Sequence, residues 1–360
     1  MTDFAVAQRV ARIDGLDVAR AVAILGMVGA HIGDEGTRSD ADGWGWLAIS
    51  HGLPSSLFAV LAGVSMTLML TSRGTVALRD VTRDHARATR VKIAVRGALL
   101  IPLGLVLTSL ETYVAVILTS LGVMFLMAAP LIRVRSSVLL SVAGVLVIAG
   151  GWAARELGEF AMSAGDLYAT PILDTLWSYC YPAPVWMAYI LVGIVIGRLP
   201  LRADATAGWL TVAGLATACV VRGGAWLATG GQHEYDLWLS WAPHGYTPVE
   251  MTQNIGVAAF VIGVCLWVTR RARTALWPLR TAGSMALTLY TLHLIVIAVV
   301  GNEIITEPSN VAYVALSVSL VAFACVWRHF LGQGPLERVL TVASNAAAQR
   351  AVPSAQAARA

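Results

Sequence analysis

The sequence predicts an all-α fold: a polytopic membrane bundle of about ten transmembrane helices, with the N-terminus and C-terminus in the cytosol. Of the 360 residues, 57% are hydrophobic and only 13% are charged. Apolar runs repeatedly reach the roughly 17 to 25 residues that a helix needs to cross a hydrocarbon core. They lack the period-two alternation that is typical of outer-membrane strands. We therefore expect one membrane domain at 1–340 and a low-complexity cytosolic tail at 341–360.

Each predicted helix is an apolar run between two polar breaks. The runs lie near 14–33, 53–72, 93–109, 112–132, 136–153, 184–199, 206–228, 253–269, 281–301 and 309–330. The first run contains Asp17 and Arg20, and no small-residue cleavage site follows it. It is therefore interpreted as a retained helix and not as a signal peptide.

The charges in the loops predict the orientation, because cytoplasmic loops carry the excess of Lys and Arg. One alternate set of loops is strongly basic, with clusters at 73–92, 133–135, 198–202 and 270–280, and it is assigned to the cytosol. The other set is rich in Asp and Glu and is assigned to the outside. Two of these outer loops, near 154–183 and 229–252, are long and aromatic, and they are predicted to roof a site.

Composition also excludes some classes of function. The four cysteines are scattered along the chain, so neither a disulfide framework nor a zinc site is predicted, and no metal is expected. The net charge of +4 comes from basic residues in short loops, where they set the topology, so no nucleic-acid partner is predicted. Membrane lipids are the expected partners, and a second copy of the chain is retained as a candidate for a homodimer.

The first helix carries a polar stripe. Asp17, Arg20 and His31 fall on one face at helical spacing, so an ion pair at the inner end shares that face with an imidazole at the outer end. Ionisable residues in a membrane helix usually face the bundle interior or an aqueous cavity. The alternative is that Asp17 and Arg20 neutralise each other at the cytosolic interface.

Two further groups of polar residues are predicted on the outer side. His51 lies at the outer end of the second helix, at the membrane level of His31, where an imidazole can act as a general base. A loop of Pro and Gly carries His244 and Tyr246, and Glu250 and Asn254 follow at the start of a helix. These four side chains are predicted to bind an acceptor substrate. The alternatives are histidines bonded to backbone or headgroups, and a helix cap with interfacial aromatic residues.

Several segments resemble a known family. Residues 12–31, which open Arg-Ile-Asp-Gly-Leu-Asp and end at His31, resemble the first helix of the heparan-alpha-glucosaminide N-acetyltransferase-like membrane proteins. Residues 57–65 look like that family's second helix. Residues 283–290, together with Gly-Pro-Leu-Glu at 334–337, look like the carboxy-terminal signature of its bacterial relatives, the DUF418 and DUF1624 proteins.

The resemblance implies a transmembrane acyltransferase. In such an enzyme cytosolic acyl-CoA, such as acetyl-CoA, enters the bundle, and the acyl group passes to a hydroxyl or amine on the outer face. It implies that Arg20, Asp17 and Arg96 hold the cofactor and that His51 and His31 are catalytic. In the animal enzyme the catalytic histidine follows an asparagine that ends helix one, and here His31 takes the place of that asparagine. Which histidine is the base is therefore left open, with His51 favoured.

The identity of the acceptor rests on composition. Arg outnumbers Lys 24 to one, which is consistent with a GC-rich bacterial genome, so the acceptor is expected to be a bacterial envelope glycan or glycolipid at the plasma membrane. Two alternatives remain. A transporter or lipid flippase could use the same polar stripe, although the two halves of the sequence lack matching Gly or Pro breaks. The other alternative is a non-catalytic membrane assembly subunit.

Overall fold

The chain is a bundle of α-helices in a computed structural model that describes residues 12–35, 44–72, 74–163, 180–232 and 236–352, with 157–163 described by backbone alone. The first half contains α1 (Asp14–Ile32), α2 (Leu53–Leu70), α3 (Arg83–Thr108), α4 (Leu118–Ala128) and α5 (Ser136–Ser163). The second half contains α6 (Ala183–Ile196), α7 (Asp204–Thr229), α8 (Pro248–Arg271), α9 (Trp277–Gly283), α10 (Ala286–Val300), α11 (Glu303–Thr306), α12 (Asn310–Phe330) and α13 (Pro335–Ala351). No strand occurs in these ranges.

Seven of the described helices are long and apolar enough to cross a membrane. An eighth span results if α9 and α10 are counted together, since they follow each other closely but bend by 81°. The two remaining apolar runs, near 112–132 and 184–199, correspond to shorter helices, Leu118–Arg133 and Ala183–Ile196. The multi-pass helical fold is therefore confirmed, whereas a count of ten spans and the cytosolic location of the termini stay predictions.

Small residues allow the central helices to approach one another closely. A Cβ atom on Gly63 of α2 would lie 2.2 Å from the carbonyl oxygen of Ile190 in α6, and one on Gly193 of α6 would lie 2.1 Å from that of Val60. On α9, a Cβ on Gly283 would lie 1.6 Å from the carbonyl oxygen of Asp17. Since lipid supplies no hydrophobic drive between helices, such close backbone contacts are a main source of their packing energy.

The arrangement places α1 and α2 in the interior, while α7 and α12 lie at the periphery. The polar stripe of α1 is thus enclosed by other helices, as the cost of ionisable groups in lipid requires.

The two segments predicted as loops or tail differ from expectation in part. The outer segment near 154–183 begins with a continuation of α5 to Ser163, and residues 164–179 lie outside the described residues. The sequence after 341 continues α13 to Ala351, where Ser344 and Ala348 are buried against the bundle. Residues 353–360 lie outside the described residues.

Candidate functional site

A cavity of about 670 Å³ opens at the end of the bundle that the loop charges assign to the cytosol. It lies between α1, α2, α3, α4, α10 and α13, and its lining includes the predicted cofactor residues Asp17, Arg20 and Arg96. Along α2 it reaches from Met69 to Phe58. At 1.5 Å rise per residue this is roughly 16 Å, more than half the length of that helix. The cavity therefore penetrates deep into the membrane domain.

Arg20 is held rigidly at the wall of this cavity. Its guanidinium pairs with Asp17 and donates from Nη2 to Ser65 Oγ of α2 at 2.8 Å. Asp17 also accepts from Arg12 at 3.0 Å. The expected pair between Asp17 and Arg20 thus forms, and Arg12 binds the same carboxylate of Asp17.

The lining carries more positive than negative charge. Four arginines, Arg12, Arg20, Arg96 and Arg328, face two carboxylates, Asp17 and Glu337. Neither Arg96 nor Arg328 has a carboxylate within ion-pair distance in the described ranges, and the bond that Arg96 makes is to Ser344 Oγ at 3.3 Å. Guanidinium groups without a counter-ion match the oxygens of phosphate groups in charge and geometry. The chemistry of this cavity therefore suits a phosphorylated ligand with a long apolar extension.

Glu337, in the Gly-Pro-Leu-Glu segment, caps the start of α10. Its carboxylate accepts from the backbone N–H of Leu287 at 2.8 Å, from that of Thr288 at 3.1 Å, and from Thr288 Oγ1 at 2.6 Å. The bend between α9 and α10 leaves these N–H groups without intrahelical partners. The Gly-Pro-Leu-Glu motif therefore stabilises the interrupted span that α9 and α10 form.

His31, near the outer end of α1, contacts a histidine of another helix. Its Nδ1 lies 3.2 Å from Nε2 of His293 in α10, and the two rings are nearly coplanar, with an interplanar angle of 7°. His293 is fully buried, and the ring of Tyr290 packs edge-on against it at 5.1 Å between centroids. The Tyr290 hydroxyl accepts from the backbone N–H of Ile117, and the next residue, Leu118, lines the cavity. The histidine pair therefore lies close to the closed end of the cavity, opposite its mouth.

His51 pairs with an acidic residue of the outer surface. Its Nε2 lies 3.3 Å from Oε2 of Glu35, and 41% of its side chain is exposed. His51 also lies within electrostatic range of both His31 and His244. A carboxylate that contacts one ring nitrogen orients the imidazole, as the geometry of a general base requires.

The loop of His244 and Tyr246 is fixed by Glu250. Its carboxylate accepts from the backbone N–H of His244 at 2.9 Å and from that of Tyr246. Both residues adopt left-handed backbone conformations, with φ of 62° and 53°. Such conformations in residues other than glycine cost free energy and persist where surrounding contacts impose them. Glu250 thus contacts the loop backbone, and not the imidazole of His244.

The ring of His244 is held in one orientation. Its Nδ1 donates to the carbonyl oxygen of Cys180 at 2.9 Å, and its face stacks on Trp186. Burial lowers the pKa of His244, because the buried ring disfavours the cation. Deeper in the bundle, Asn254 donates to the hydroxyl of Tyr189 at 3.2 Å. The outer loop touches the His51 segment, since a Cβ on Gly52 would lie 3.5 Å from Pro243.

The predicted residues therefore form two groups. Arg20, Asp17 and Arg96 share the cavity at the end of the bundle that the loop charges assign to the cytosol, whereas His51, His244, Tyr246, Glu250 and Asn254 belong to the opposite end. The hydrogen-bond partner of His31 is His293, and that of His51 is Glu35. Sequence reasoning missed His293, Glu35 and Ser65 as partners of these residues, and Arg328 as a further cation of the cavity.

The comparisons with known proteins agree with the sequence motifs. The family model for heparan-alpha-glucosaminide N-acetyltransferase, catalytic, matches residues 12–243, which is more than half of the chain. A second model, described as a protein of unknown function (DUF418), matches residues 197–345. Together the two matches cover both groups of candidate residues. No curated protein matched the chain.

Proposed function

Since this chain belongs to the heparan-alpha-glucosaminide N-acetyltransferase catalytic family, a family of transmembrane acetyltransferases, we propose that it transfers an acyl group across a bacterial plasma membrane. The donor is cytosolic acyl-CoA, such as acetyl-CoA. The acceptor is a hydroxyl or amine of an envelope glycan or glycolipid on the outer face.

The arginine-lined cavity is the observation that carries this proposal. The nucleotide phosphates of acyl-CoA would bind Arg96, Arg20 and Arg328 at the cytosolic end, where two of these cations have no carboxylate partner in the part of the chain that the structure describes. The apolar walls at Phe58, Leu61 and Leu118 would enclose the pantetheine arm, which leads the thioester toward the histidines. A ligand that is anionic at one end and extended at the other matches this distribution of charge.

The outer residues supply the acid–base chemistry. His51, oriented by Glu35, takes the proton from the acceptor hydroxyl or amine as its oxygen or nitrogen attacks the thioester carbonyl. The carbon–sulfur bond breaks, the acyl group stays on the acceptor, and the CoA thiolate takes up a proton to leave as the thiol. His31 lies beside the reacting carbonyl. His244, Tyr246, Glu250 and Asn254 form or support the wall that binds the acceptor.

Binding of CoA to the purified protein in lipid nanodiscs tests the donor site. Arg96→Gln removes a cation whose bond is to Ser344, so the fold should persist while the Kd for CoA rises about 10-fold, which corresponds to about 1.4 kcal/mol. Arg20→Gln combined with Arg96→Gln should weaken binding further.

A matched control is available in the basic segment after α4. Arg133→Gln combined with Arg135→Gln removes the same charge from exposed positions outside the cavity. This control should leave the Kd for CoA unchanged. If the wild-type protein retains no CoA, or if both double variants bind it equally, the proposed donor site is wrong.

One observation favours transport as a second candidate. The bent pair α9 and α10 is a discontinuous span, a feature that many transporters use to bind substrate at the membrane midplane. Here, however, Glu337 of the same chain occupies the exposed start of α10, so that end is not open to a substrate anion. A transporter would move acyl-CoA, lipid or glycan intact across a vesicle membrane. Recovery of acylated product, and not of intact donor, on the far side would decide for acyl transfer.

A further inference from the structure

The contact between His31 and His293 joins a half-buried ring to a fully buried one, on helices that are distant in sequence. The facing nitrogens, Nδ1 of His31 and Nε2 of His293, are 3.2 Å apart, and the coplanar rings align the bond. A neutral imidazole has one N–H and one lone pair, so one of these nitrogens donates and the other accepts. The contact therefore couples the tautomer of one ring to that of the other.

The surroundings of His293 favour one direction for this bond. Its Nδ1 is buried and has no full hydrogen bond among the described residues, and the nearby polar groups of its own helix are the backbone carbonyls of Leu289 and Tyr290, one turn earlier in α10. A carbonyl oxygen attracts an N–H and repels a lone pair. These two carbonyls favour the proton on Nδ1 of His293, which leaves its Nε2 as the acceptor.

We propose that His293 is a positioning residue, which accepts a hydrogen bond from Nδ1 of His31 and so leaves Nε2 of His31 as a free, unprotonated nitrogen. A hydrogen bond to one ring nitrogen is the usual means by which proteins fix the orientation and tautomer of a working histidine. The tautomer of His31 is independent of the proposed function. Only the task of the free nitrogen, which is to accept a proton near the thioester, rests on that function.

The location of the pair suits that task. On the side that faces the cavity, Tyr290 packs on His293, and the Tyr290 hydroxyl accepts from the N–H of Ile117 next to the cavity wall. On the outer side, His51 lies within electrostatic range of His31. A proton taken from the acceptor at the outer face has to reach the CoA thiolate at the deep end of the cavity. His31, which contacts His293 on one side and lies near His51 on the other, is placed between these two points.

Nitrogen NMR of the full-length protein tests the tautomer without any assay of activity. The protein is labelled with ¹⁵N-histidine and studied in lipid nanodiscs at neutral pH, and the resonances of His31 are assigned by their loss in His31→Gln. We expect Nδ1 of His31 to carry the proton in the wild type. A proton on Nε2 of His31 would overturn the proposal.

Substitution of His293 tests whether it causes this preference. His293→Phe keeps a ring but removes the acceptor, so His31 should lose its fixed tautomer, whereas Tyr290→Phe should leave it unchanged. His293→Gln retains an oxygen acceptor and should preserve it. An unchanged tautomer of His31 in His293→Phe would also overturn the proposal. If His293→Phe does not fold, the wild-type spectrum and His293→Gln still decide.

Kinetics separate this proposal from the proposed function. In His293→Phe we expect kcat for acyl transfer to fall about 10-fold or more with the Kd for CoA unchanged, and in His293→Gln we expect much of it to return. A wild-type protein that neither binds CoA nor transfers acyl groups would refute the proposed function, whereas the NMR result on the His31 tautomer would still hold. Normal kcat in His293→Phe would refute the positioning role alone.

Discussion

Removal of Glu337 is expected to destabilise the bundle, because its carboxylate caps the start of α10 at the break between α9 and α10. In the wild type it accepts from the two backbone N–H groups at the start of α10 and from Thr288 Oγ1, at 2.6 to 3.1 Å. Leu287 and Thr288 are buried, so few waters can replace the lost oxygen atoms. Glu337→Ala leaves all three donors without their acceptor.

The magnitude follows from the number of bonds. A hydrogen bond contributes about 1 kcal/mol net, so three lost bonds cost about 3 kcal/mol. Loss of a negative charge next to a helix N-terminus adds about 0.3 to 1 kcal/mol. Because the cavity borders Glu337, some water reaches the vacated position, and we expect a total of about 2 to 3 kcal/mol. Glu337→Gln keeps one oxygen acceptor and should lose about half as much.

Thermal unfolding of the protein in nanodiscs, followed by tryptophan fluorescence at one scan rate, measures this effect. With 2 to 4 °C per kcal/mol for a domain of this size, Glu337→Ala should lower the apparent Tm by about 5 to 10 °C. Glu307→Ala is the matched control, since Glu307 is exposed after the short helix α11. If the two variants unfold within about 1 °C of each other, the capping role of Glu337 is refuted.

Three further predictions concern orientation, catalysis and pH. In a variant without the native cysteines, a reagent that cannot cross the membrane should label a cysteine at Gln232 but not one at Arg83 in intact cells, and the reverse pattern would invert the topology. His51→Ala should lower the turnover of acyl transfer about 100-fold with CoA binding intact, whereas Glu35→Gln should cost less, and full activity in both would remove His51 as the base. Because burial lowers the pKa of His244, its unfolded form takes up protons first as the pH falls below about 6.5. The wild type should therefore lose stability from neutral pH to pH 5.5 by up to about 1.4 kcal/mol more than His244→Gln does, and equal losses would contradict the assignment.

Much of the fold follows from local properties of the sequence. The apolar runs predicted near 14–33, 206–228 and 309–330 correspond to α1, α7 and α12 within a few residues. The break between α9 and α10 was not predicted, because Ser284 and Met285 are compatible with a helix. The break depends on Glu337, which lies about fifty residues later and supplies the acceptor that makes an interrupted helix tolerable.

The candidate site was predicted in its residues more than in its contacts. Arg20 and Arg96 were expected to lie together, and both line one cavity, whose location at the cytosolic end stays a prediction. His31 and His51 were expected at one membrane level with their rings facing one cavity, and this stays a prediction. Their hydrogen-bond partners in the structure, His293 and Glu35, were not predicted. The partners could not be predicted because helical spacing shows which residues share a face of α1, but not which helix lies against that face.

Hydropathy, loop charge and motifs were sufficient to identify a polytopic helical membrane protein of an acyltransferase family, since each is a property of a short stretch of chain. The partners of the ionisable residues required the tertiary structure. His31 and His293 are 262 residues apart, and Arg96 and Ser344 are 248 apart. In lipid, apolar faces do not distinguish one neighbouring helix from another. The order and rotation of the helices, which are set by close backbone contacts such as that of Gly283 with Asp17, therefore decide which polar groups meet.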